Sequence, residues 1–454
     1  MEVSKKVYYK IKFTLSSPLA LSSGENNYAD RDVIRDASGK PFIPASSIAG
    51  VCRNALKAQY RDSYLGYVQK ADESNSETAA GDSMIMFYDA LMEKKQNDPK
   101  NPNQEHTEKQ DQEYKISIRD GVGLDEYKTA KRGAKYDMEV LEPGVVFVTY
   151  IEQNLTDSKS VNVANIVADL FNSNKLCFGG KTTRGYGDIL ASEIKQKRFD
   201  LTEPEKTKEW ISFDMYGDAT EWDDYDYTEA QEKQTETETV ITLSLKQREG
   251  SGISIRKNSS KPSEKIDLPN GNFKKIPEPD YEQLTLSGDE PIPVIPGTSW
   301  AGAFGHQMKN LGLNDSDYKD LFGYVKGKET KKSRIRFSET QLKGSTSKKI
   351  SRTAIDRFSG AVVTEALFTE RTYYHGYTEE PLRITINGKL NSNQKGALSA
   401  AIADLGYGFM AVGGLTAIGR GLFTIERING KEVMEDEVFE TVKEFLSASG
   451  GEHK

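Results

Sequence analysis

The segment SSGENNYADRDVIRDASGKPFIP (22–44) places Glu25, Asp30, Asp32 and Asp36, four acids in twelve residues, just ahead of an apolar stripe. Carboxylates at this density suit a divalent cation or a general base. A loop Asp equally forms a turn or caps a helix. A second stretch, GGKTTRGYG (179–187), is glycine-rich around Lys181 and Arg184. Glycines at Gly179, Gly180 and Gly185 let backbone N–H groups approach an anion closely, and Arg184 adds a bidentate partner for it. The structural alternative is a tight turn that needs glycine at positive φ. A nucleotide-binding P-loop is excluded, because G-x-x-x-x-G-K-[ST] would need glycine where Lys175 stands.

Other chemistries find little support. The histidines, His106, His306, His375 and His453, share no short metal-ligand spacing, and Cys52 and Cys177 are too few for a disulfide framework or a four-thiolate zinc site. No run approaches the roughly 20 apolar residues of a membrane helix, and the N-terminus MEVSKKVYYKIKF lacks a signal segment. The expectation is a soluble, cytoplasmic protein with no membrane partner. The formal net charge is −8, yet residues 203–238 hold 13 acids and 3 lysines. That segment alone carries −10, so the rest is close to neutral, and it reads as a solvated linker or a partner-facing loop. The opposite run, 326–352, holds ten Lys/Arg against Glu329 and Glu339. It reads either as a mobile loop or as a phosphate-binding arm, with Lys331, Lys332, Arg334 and Arg336 as its contacts.

The elements that carry these residues occur twice. PFIPASSIAG (41–50) and PVIPGTSWAG (293–302) agree at six of ten positions. GGKTTRGYG and GGLTAIGRG (413–421) share G-G-x-T-x-x-G-x-G, and LDEYKTA (124–130) parallels IDRFSGA (355–361). This order implies two homologous domains, 1–200 and 238–454, joined by the acidic linker 201–237, with a polar insertion at about 69–114. Each half opens on an alternating strand, VYYKIKFTL (7–15) or ETVITLSLK (238–246). A helix with core positions Ile48, Cys52 and Leu56, or Trp300, Phe304 and Met308, follows, and Ser or Thr is expected to cap it. A later helix leads directly into the glycine loop and a last strand. The expected fold is α+β, two tandem ferredoxin-like, RRM-like domains with insertions. Sheets of this kind frame common RNA-binding modules.

Together, YADRDVIRDASGKPFIPASSIAGVCRNAL (28–56), CFGGKTTRGYGDI (177–189) and IDRFSGA resemble the RAMP superfamily of CRISPR-associated proteins. The likeness is closest to backbone subunits of type III interference complexes and covers both halves, as in a tandem, type III-D-like fusion. It implies a guide RNA and a complementary target RNA as partners, together with neighbouring backbone subunits and a large subunit. It implies cleavage of the target by ribose 2′-OH attack with Mg²⁺ or another divalent cation, and a thumb hairpin, preceded by IDRFSGA, that intrudes between guide and target. The family's catalytic aspartate stands three residues before V-I-[KR]-D, which is Asp30 here, as a metal ligand or base. Counting back from the repeat gives Asp280 as its counterpart, without the V-I-[KR]-D sequence. RNA contacts are implied for Ser46, Ser47, Gly179, Gly180, Lys181, Arg184, Gly185, Arg357, Gly413, Gly414 and Arg420, while Arg53 and Lys57, just after the helix start, either flank the guide backbone or face solvent on an amphipathic helix. A non-catalytic RNA scaffold is the alternative. A guide-processing ribonuclease that uses histidine is disfavoured, because no His precedes His106.

Overall fold

The structure, a computed structural model, describes residues 3–24, 30–69, 79–93, 114–124, 130–156, 161–173, 175–217, 221–226, 238–257, 265–267, 273–275, 279–286, 291–327 and 329–448. The first repeat runs β1 (Lys5–Leu15), β2 (Phe42–Ile43), α1 (Ala45–Ala55), α2 (Ala58–Tyr64), β3 (Leu65–Gln69), β4 (Ala79–Ser83), β5 (Ile85–Phe87), β6 (Ala90–Met92), β7 (Ile116–Leu124), β8 (Ala130–Leu141), β9 (Val146–Leu155), α3 (Val163–Asn172) and β10 (Ile189–Asp200), then α4 (Pro204–Ser212) and β11 (Asp223–Asp224). The second runs β12 (Glu238–Gln247), β13 (Arg256–Lys257), β14 (Lys265–Asp267), β15 (Phe273–Lys275), β16 (Tyr281–Gln283), β17 (Thr285–Leu286), β18 (Ile292–Ile295), α5 (Gly297–Asn310), α6 (Asp315–Phe322), β19 (Tyr324–Lys326), β20 (Glu329–Lys331), β21 (Ile335–Phe337), β22 (Thr340–Lys343), β23 (Thr346–Ile355), β24 (Val362–Tyr374), β25 (Tyr377–Thr378), β26 (Leu382–Asn387), α7 (Ser392–Tyr407), β27 (Phe423–Ile428), β28 (Lys431–Glu432) and α8 (Val438–Ala448). The chain forms two compact units: Met1–Ser117, Met138–Thr182 and Tyr186–Thr235 in one, and Ile118–Asp137, Thr183–Gly185 and Glu236–Lys454 in the other.

In the first unit the alternation of β1 buries Val7, Tyr9, Ile11, Phe13 and Leu15 on one face. The strands pair antiparallel in the order β10–β1–β9–β5. With α1 between β1 and β5 in sequence and α3 between β9 and β10, this is the β-α-β-β-α-β ferredoxin-like plan. Ile48 and Cys52 of α1 and Val167, Leu170 and Phe171 of α3 join the same core. Burying side chains of this size contributes about 1.5–3 kcal/mol each.

The second unit repeats the plan. β27–β12–β26–β21 is again antiparallel, with Trp300, Phe304 and Met308 of α5 and Leu398, Ala401, Ile402 and Leu405 of α7 in its core. Even the short accessory pairs correspond: Phe42 and Ile43 face Leu91 and Ala90, as Val294 and Ile295 face Gln341 and Thr340. The expected fold class is therefore present twice.

Three local expectations are corrected. The first is the solvated linker. Residues 203–217 and 221–224 fold onto the outer face of the first sheet, and Tyr225 enters the core on its other side. Trp222 and Tyr225 are buried, Trp210 donates its indole N–H to the Tyr8 hydroxyl at 2.9 Å, and Tyr225 donates to Asp169 at 2.8 Å. Aromatic residues spaced among the acids give the segment an apolar side. Lysines of β10 meet its charge, Lys195 with Asp224 at 2.6 Å and Lys197 with Glu209 at 3.2 Å. Residues 227–237 lie outside the described residues. This cover also buries Tyr8 and Tyr150 beneath Trp222, so that part of the sheet is closed to the base stacking that RRM-like sheets use.

The second is the insertion. Inside 69–114, β5 and β6 belong to the sheet, and Ile85 and Ala90 are core residues. Residues 70–78 and 94–113, with His106, lie outside the described residues.

The third is the basic run 326–352. Instead of one arm it supplies β21 and β22 to the sheet, and its last seven residues begin β23. β23 and β24 pair as a long hairpin. IDRFSGA forms the tip of this hairpin instead of preceding it: Asp356 accepts from the Phe358 and Ser359 amides at 3.0 and 2.7 Å. The ring of Phe358 is 85% exposed at the turn, and Arg357 lies over it, 4.7 Å from its centroid. The first-repeat counterpart is the β7–β8 hairpin, whose tip, 125–129, lies outside the described residues. Across that hairpin, burial and the neighbouring Asp137 carboxyl push Asp120 up to about 6.

Candidate nucleic-acid interface

The two glycine loops are the same object. Phe178 N–H donates to Gly187 O at 2.9 Å, and Val412 N–H to Gly421 O at 3.0 Å. Gly180 N–H donates to Ala20 O at 2.7 Å, and Gly414 N–H to Ser254 O at 2.6 Å. Gly187 and Gly421 each donate at 2.8 Å, to Pro18 O and Gly252 O. Even the side-chain clasp is shared, the Ser17 hydroxyl accepting from Asp188 N and the Ser251 hydroxyl from Leu422 N. Each loop thus clamps the end of its last strand to the segment that leaves its first strand.

This geometry revises the sequence reading. The amides of Gly180 and Gly414, read as anion donors, are spent on chain carbonyls. Gly179 and Gly413 have φ of 78° and 95°, and a Cβ on either would press on Ala20 or Ser254 backbone. Gly187 is the most constrained, since a Cβ there would overlap the Phe178 carbonyl. We expect Gly187→Ala to cost more than about 2 kcal/mol through strain at positive φ plus this overlap. Thermal denaturation with circular dichroism checks it, against Gly50→Ala, where a Cβ meets open space.

What remains on each crest differs. Lys181 and Leu415 both sit at left-handed φ, 56° and 58°, and a single 3-10 turn follows, Thr182–Arg184 or Thr416–Ile418. Gly185, at φ 80°, and Gly419, also at 80°, end these turns. The first crest displays Lys181 and an exposed Arg184; the second displays Leu415 and Ile418, the latter 50% exposed. The first crest is thus cationic and the second apolar.

Strand register fixes which loop acids correspond. Leu19 bridges Leu141 and Ile253 bridges Tyr373; then Arg31 bridges Met138 in parallel, as Tyr281 bridges Glu370. The residues just before, Asp30 and Asp280, occupy equivalent positions. Both are exposed. Asp280 accepts a hydrogen bond from the Thr369 amide at 2.7 Å and so staples its loop to β24. Asp30 is exposed, at the edge of 25–29, which with Glu25 lies outside the described residues. The neighbouring acids are occupied by turns. Asp32 takes hydrogen bonds from the Ser22 and Ser23 hydroxyls and the Ser23 and Gly24 amides. Slight burial raises its pKa, but these bonds outweigh that and hold it below the usual carboxylate range. Asp36 takes bonds from Ser38 and the Lys40 amide and is likewise lowered. Val33 is buried, and Arg35 and the Val33 amide share Glu139. V-I-R-D is thus a rigid mount beside Asp30.

The basic candidates divide. Arg420 is buried against Glu370, which Arg352 also approaches at 2.8 Å. Its guanidinium is neutralised inside the protein, which corrects its reading as an RNA contact. The first repeat has Tyr186 and Met138 at these two places, both buried. Arg334 is likewise committed, to Asp320 and to the carbonyls of Asn387 and Lys389. Lys331 pairs with Asp320 at 2.7 Å, Lys332 is exposed, and Arg336 lies in β21 beside Thr385. Arg53 donates to the Leu65 and Gly66 carbonyls at 3.1 and 2.8 Å. Ser46 and Ser47 lie within the first turn of α1; the cap position is Pro44, so neither caps. Asp89 takes the Ala45 amide instead, at 2.6 Å. Lys57 is exposed ahead of α2.

Sequence reasoning missed Glu370 and Arg352. The only route to them is register with Met138, since TERTY (369–373) and DMEVL (137–141) share no residue in register. Among the described residues no group of three or more His, Cys, Asp or Glu could hold a metal ion, and no helix is long and apolar enough to cross a membrane.

The molecule is thus a tandem of ferredoxin-like domains, each closing a glycine loop on its first strand, with one cationic crest and one apolar crest. The sequence matches the RAMP superfamily over residues 12–189 and 255–424. The chain belongs to that superfamily, one copy per repeat. A search of curated proteins finds no match. Among solved structures, a chain of the type III-B Cmr-beta complex bound to cognate target RNA is 15% identical with a TM-score of 0.30, over 42% of this chain and 61% of that one. A chain of Cmr-beta in the apo state is 14% identical with a TM-score of 0.29, over 41% of this chain and 96% of that one. The chain therefore spans 61% of the first of these relatives.

Proposed function

We propose that this chain is a guide-RNA-binding backbone subunit of a type III CRISPR interference complex. Its first repeat cleaves complementary target RNA, and its second repeat is a scaffold. The observation that carries the reading is the asymmetry of two equivalent sites within one superfamily chain. Asp30 stands beside the rigid V-I-R-D mount, whereas Asp280, which lacks that sequence, staples its loop to the Thr369 amide. The first crest offers Lys181 and Arg184, the second Leu415 and Ile418.

RNA brings its own nucleophile, the 2′-hydroxyl next to the scissile phosphorus. The chain's task is to hold the strand so that the 2′-oxygen, phosphorus and leaving oxygen align. Arg184 grips a phosphate, and Asp30 receives the 2′-OH proton or anchors a cation. Among the described residues no cluster of acids cages a cation, which suits Mg²⁺, a cation that keeps several waters and takes phosphate oxygens as its other ligands. When bound, such a cation would neutralise charge on the phosphate oxygens. Neighbouring backbone subunits and a large subunit complete the assembly.

The reading is tested by incubating the assembled complex with complementary RNA. We expect products ending in a 2′,3′-cyclic phosphate and a 5′-hydroxyl, and no cut where the target nucleotide is 2′-deoxy. Cleavage of the deoxy substrate would contradict it. Arg184→Ala is expected to weaken RNA binding and reduce the salt slope by about 0.7, one phosphate contact on a single strand. Ile418→Ala should leave that slope unchanged in the same titration. The alternative, a scaffold that does not cut, is favoured if no product forms.

A further inference from the structure

An open cavity of about 330 Å³ lies beside α1 in the first unit. Phe87, Ile85 and Leu65 form its apolar part, and Ser46, Ser83 and Arg53 line it with polar groups. We propose that it receives one unstacked RNA base; this rests on the RNA-binding reading above and adds a specific site to it.

The argument comes from comparing the two repeats. The Ser83 hydroxyl donates to Ile85 O at 2.6 Å and to Tyr64 O at 3.2 Å. The Ser333 hydroxyl makes the matching pair, to Ile335 O at 2.7 Å and Leu321 O at 3.1 Å. Tyr64 therefore corresponds to Leu321, so Leu65 corresponds to Phe322 and Arg61 to Tyr318. Phe87 and Phe337 each end the matching strand. PFIPASSIAG and PVIPGTSWAG align Arg53 with Gly305.

In the second unit this space is full. Phe322 stacks on Tyr318, centroids 4.8 Å apart at 16°, and on Phe337, 6.5 Å apart at 16°. Gly305 leaves the room: its Cβ position lies 3.1 to 3.4 Å from Tyr318 and Phe322. In the first unit Leu65 and Arg61 replace those rings and the space is open. A planar ring laid on Phe87 would take the place that Phe322 takes on Phe337. The fold accepts a ring there, and the first repeat does not supply one.

The polar lining selects the kind of ring. The Arg53 guanidinium is held by two backbone carbonyls, and the Ser46 hydroxyl lies in the same wall. An edge of a fixed cationic donor and a hydroxyl matches a base, whose rim carries acceptors and donors, and is wasted on a phenyl side chain. Base-on-aromatic stacking tolerates any sequence, as a chain that carries interchangeable guides requires.

The test is photocrosslinking of the full chain to a single-stranded oligonucleotide carrying 4-thiouridine at every uridine, with sites mapped by mass spectrometry. We expect crosslinks in peptides that contain Phe87 and Ser46. Gly50→Phe should lower their yield at least tenfold while crosslinks on the glycine crest persist. Gly302→Phe, the equivalent change in the second unit, where a Cβ also meets open space, should leave the yield unaltered. If Gly50→Phe does not fold, Gly50→Leu takes its place, with the same direction expected. Crest crosslinks without any at the cavity, or cavity crosslinks that survive Gly50→Phe, would overturn the proposal and leave the RNA-binding reading standing. No RNA binding at all would overturn both. Loss of a protein neighbour from the Gly50→Phe complex, with RNA crosslinks intact, would mark a protein side chain as the occupant and likewise overturn it.

Discussion

Replacing Asp30 by alanine is expected to slow target cleavage by about 10²- to 10⁴-fold, the usual worth of a positioned acid–base group, with RNA affinity held within about twofold. Asp30 and Asp280 are both exposed, but only Asp30 precedes the V-I-R-D mount. Asp32 and Asp36 each collect several hydrogen bonds from their own turns, so their loss should loosen the mount. Asp280→Ala gives the contrast. It removes a charge-assisted bond to the Thr369 amide, which contributes about 1.5–3 kcal/mol, and should leave the cleavage rate unaltered. Single-turnover rates and binding constants for the two variants separate these effects. An Asp30→Ala rate equal to that of the unaltered chain would remove Asp30 from the mechanism.

Glu370→Ala is expected to destabilise the second unit by about 3–5 kcal/mol, because it leaves Arg420 buried without its counter-charge. The first repeat shows how the same place is filled without charge, by Met138 and Tyr186. The double change Glu370→Met with Arg420→Tyr should therefore recover most of the loss, since apolar residues of similar volume often replace buried ion pairs at no cost. Arg352, more than a third of whose side chain is exposed, can then turn to solvent. Hydrogen exchange of the β12 and β26 amides reads the second unit by itself. A double variant as unstable as Glu370→Ala would show that the pair is not interchangeable with its apolar counterpart.

These two cases mark what the sequence made legible. The alternating strands, the apolar stripes of α1, α3, α5 and α7, and the paired motifs were readable because periodicity and repetition survive in the residue types themselves. The glycine loops were readable as loops, but their role was not: that Gly180 and Gly414 donate to Ala20 and Ser254 is a tertiary fact with no local signature. The acidic stretch misled because its charge outweighs four well-spaced aromatics, Trp210, Phe213, Trp222 and Tyr225, and because the lysines that neutralise it lie elsewhere in the chain. The basic run misled in the opposite way. Arg334 and Lys331 count as positive charge in sequence, yet both meet Asp320 in the fold. The open cavity was invisible, since it arises from what Leu65 and Arg61 lack relative to Phe322 and Tyr318.

The most direct measurement of the central claim is to purify the chain with its neighbours from the native operon and sequence the RNA that accompanies it. The account predicts short RNAs that share a common 5′ segment followed by variable sequence, retained in proportion to the chain. Recovery of the intact assembly with no enriched RNA would contradict it.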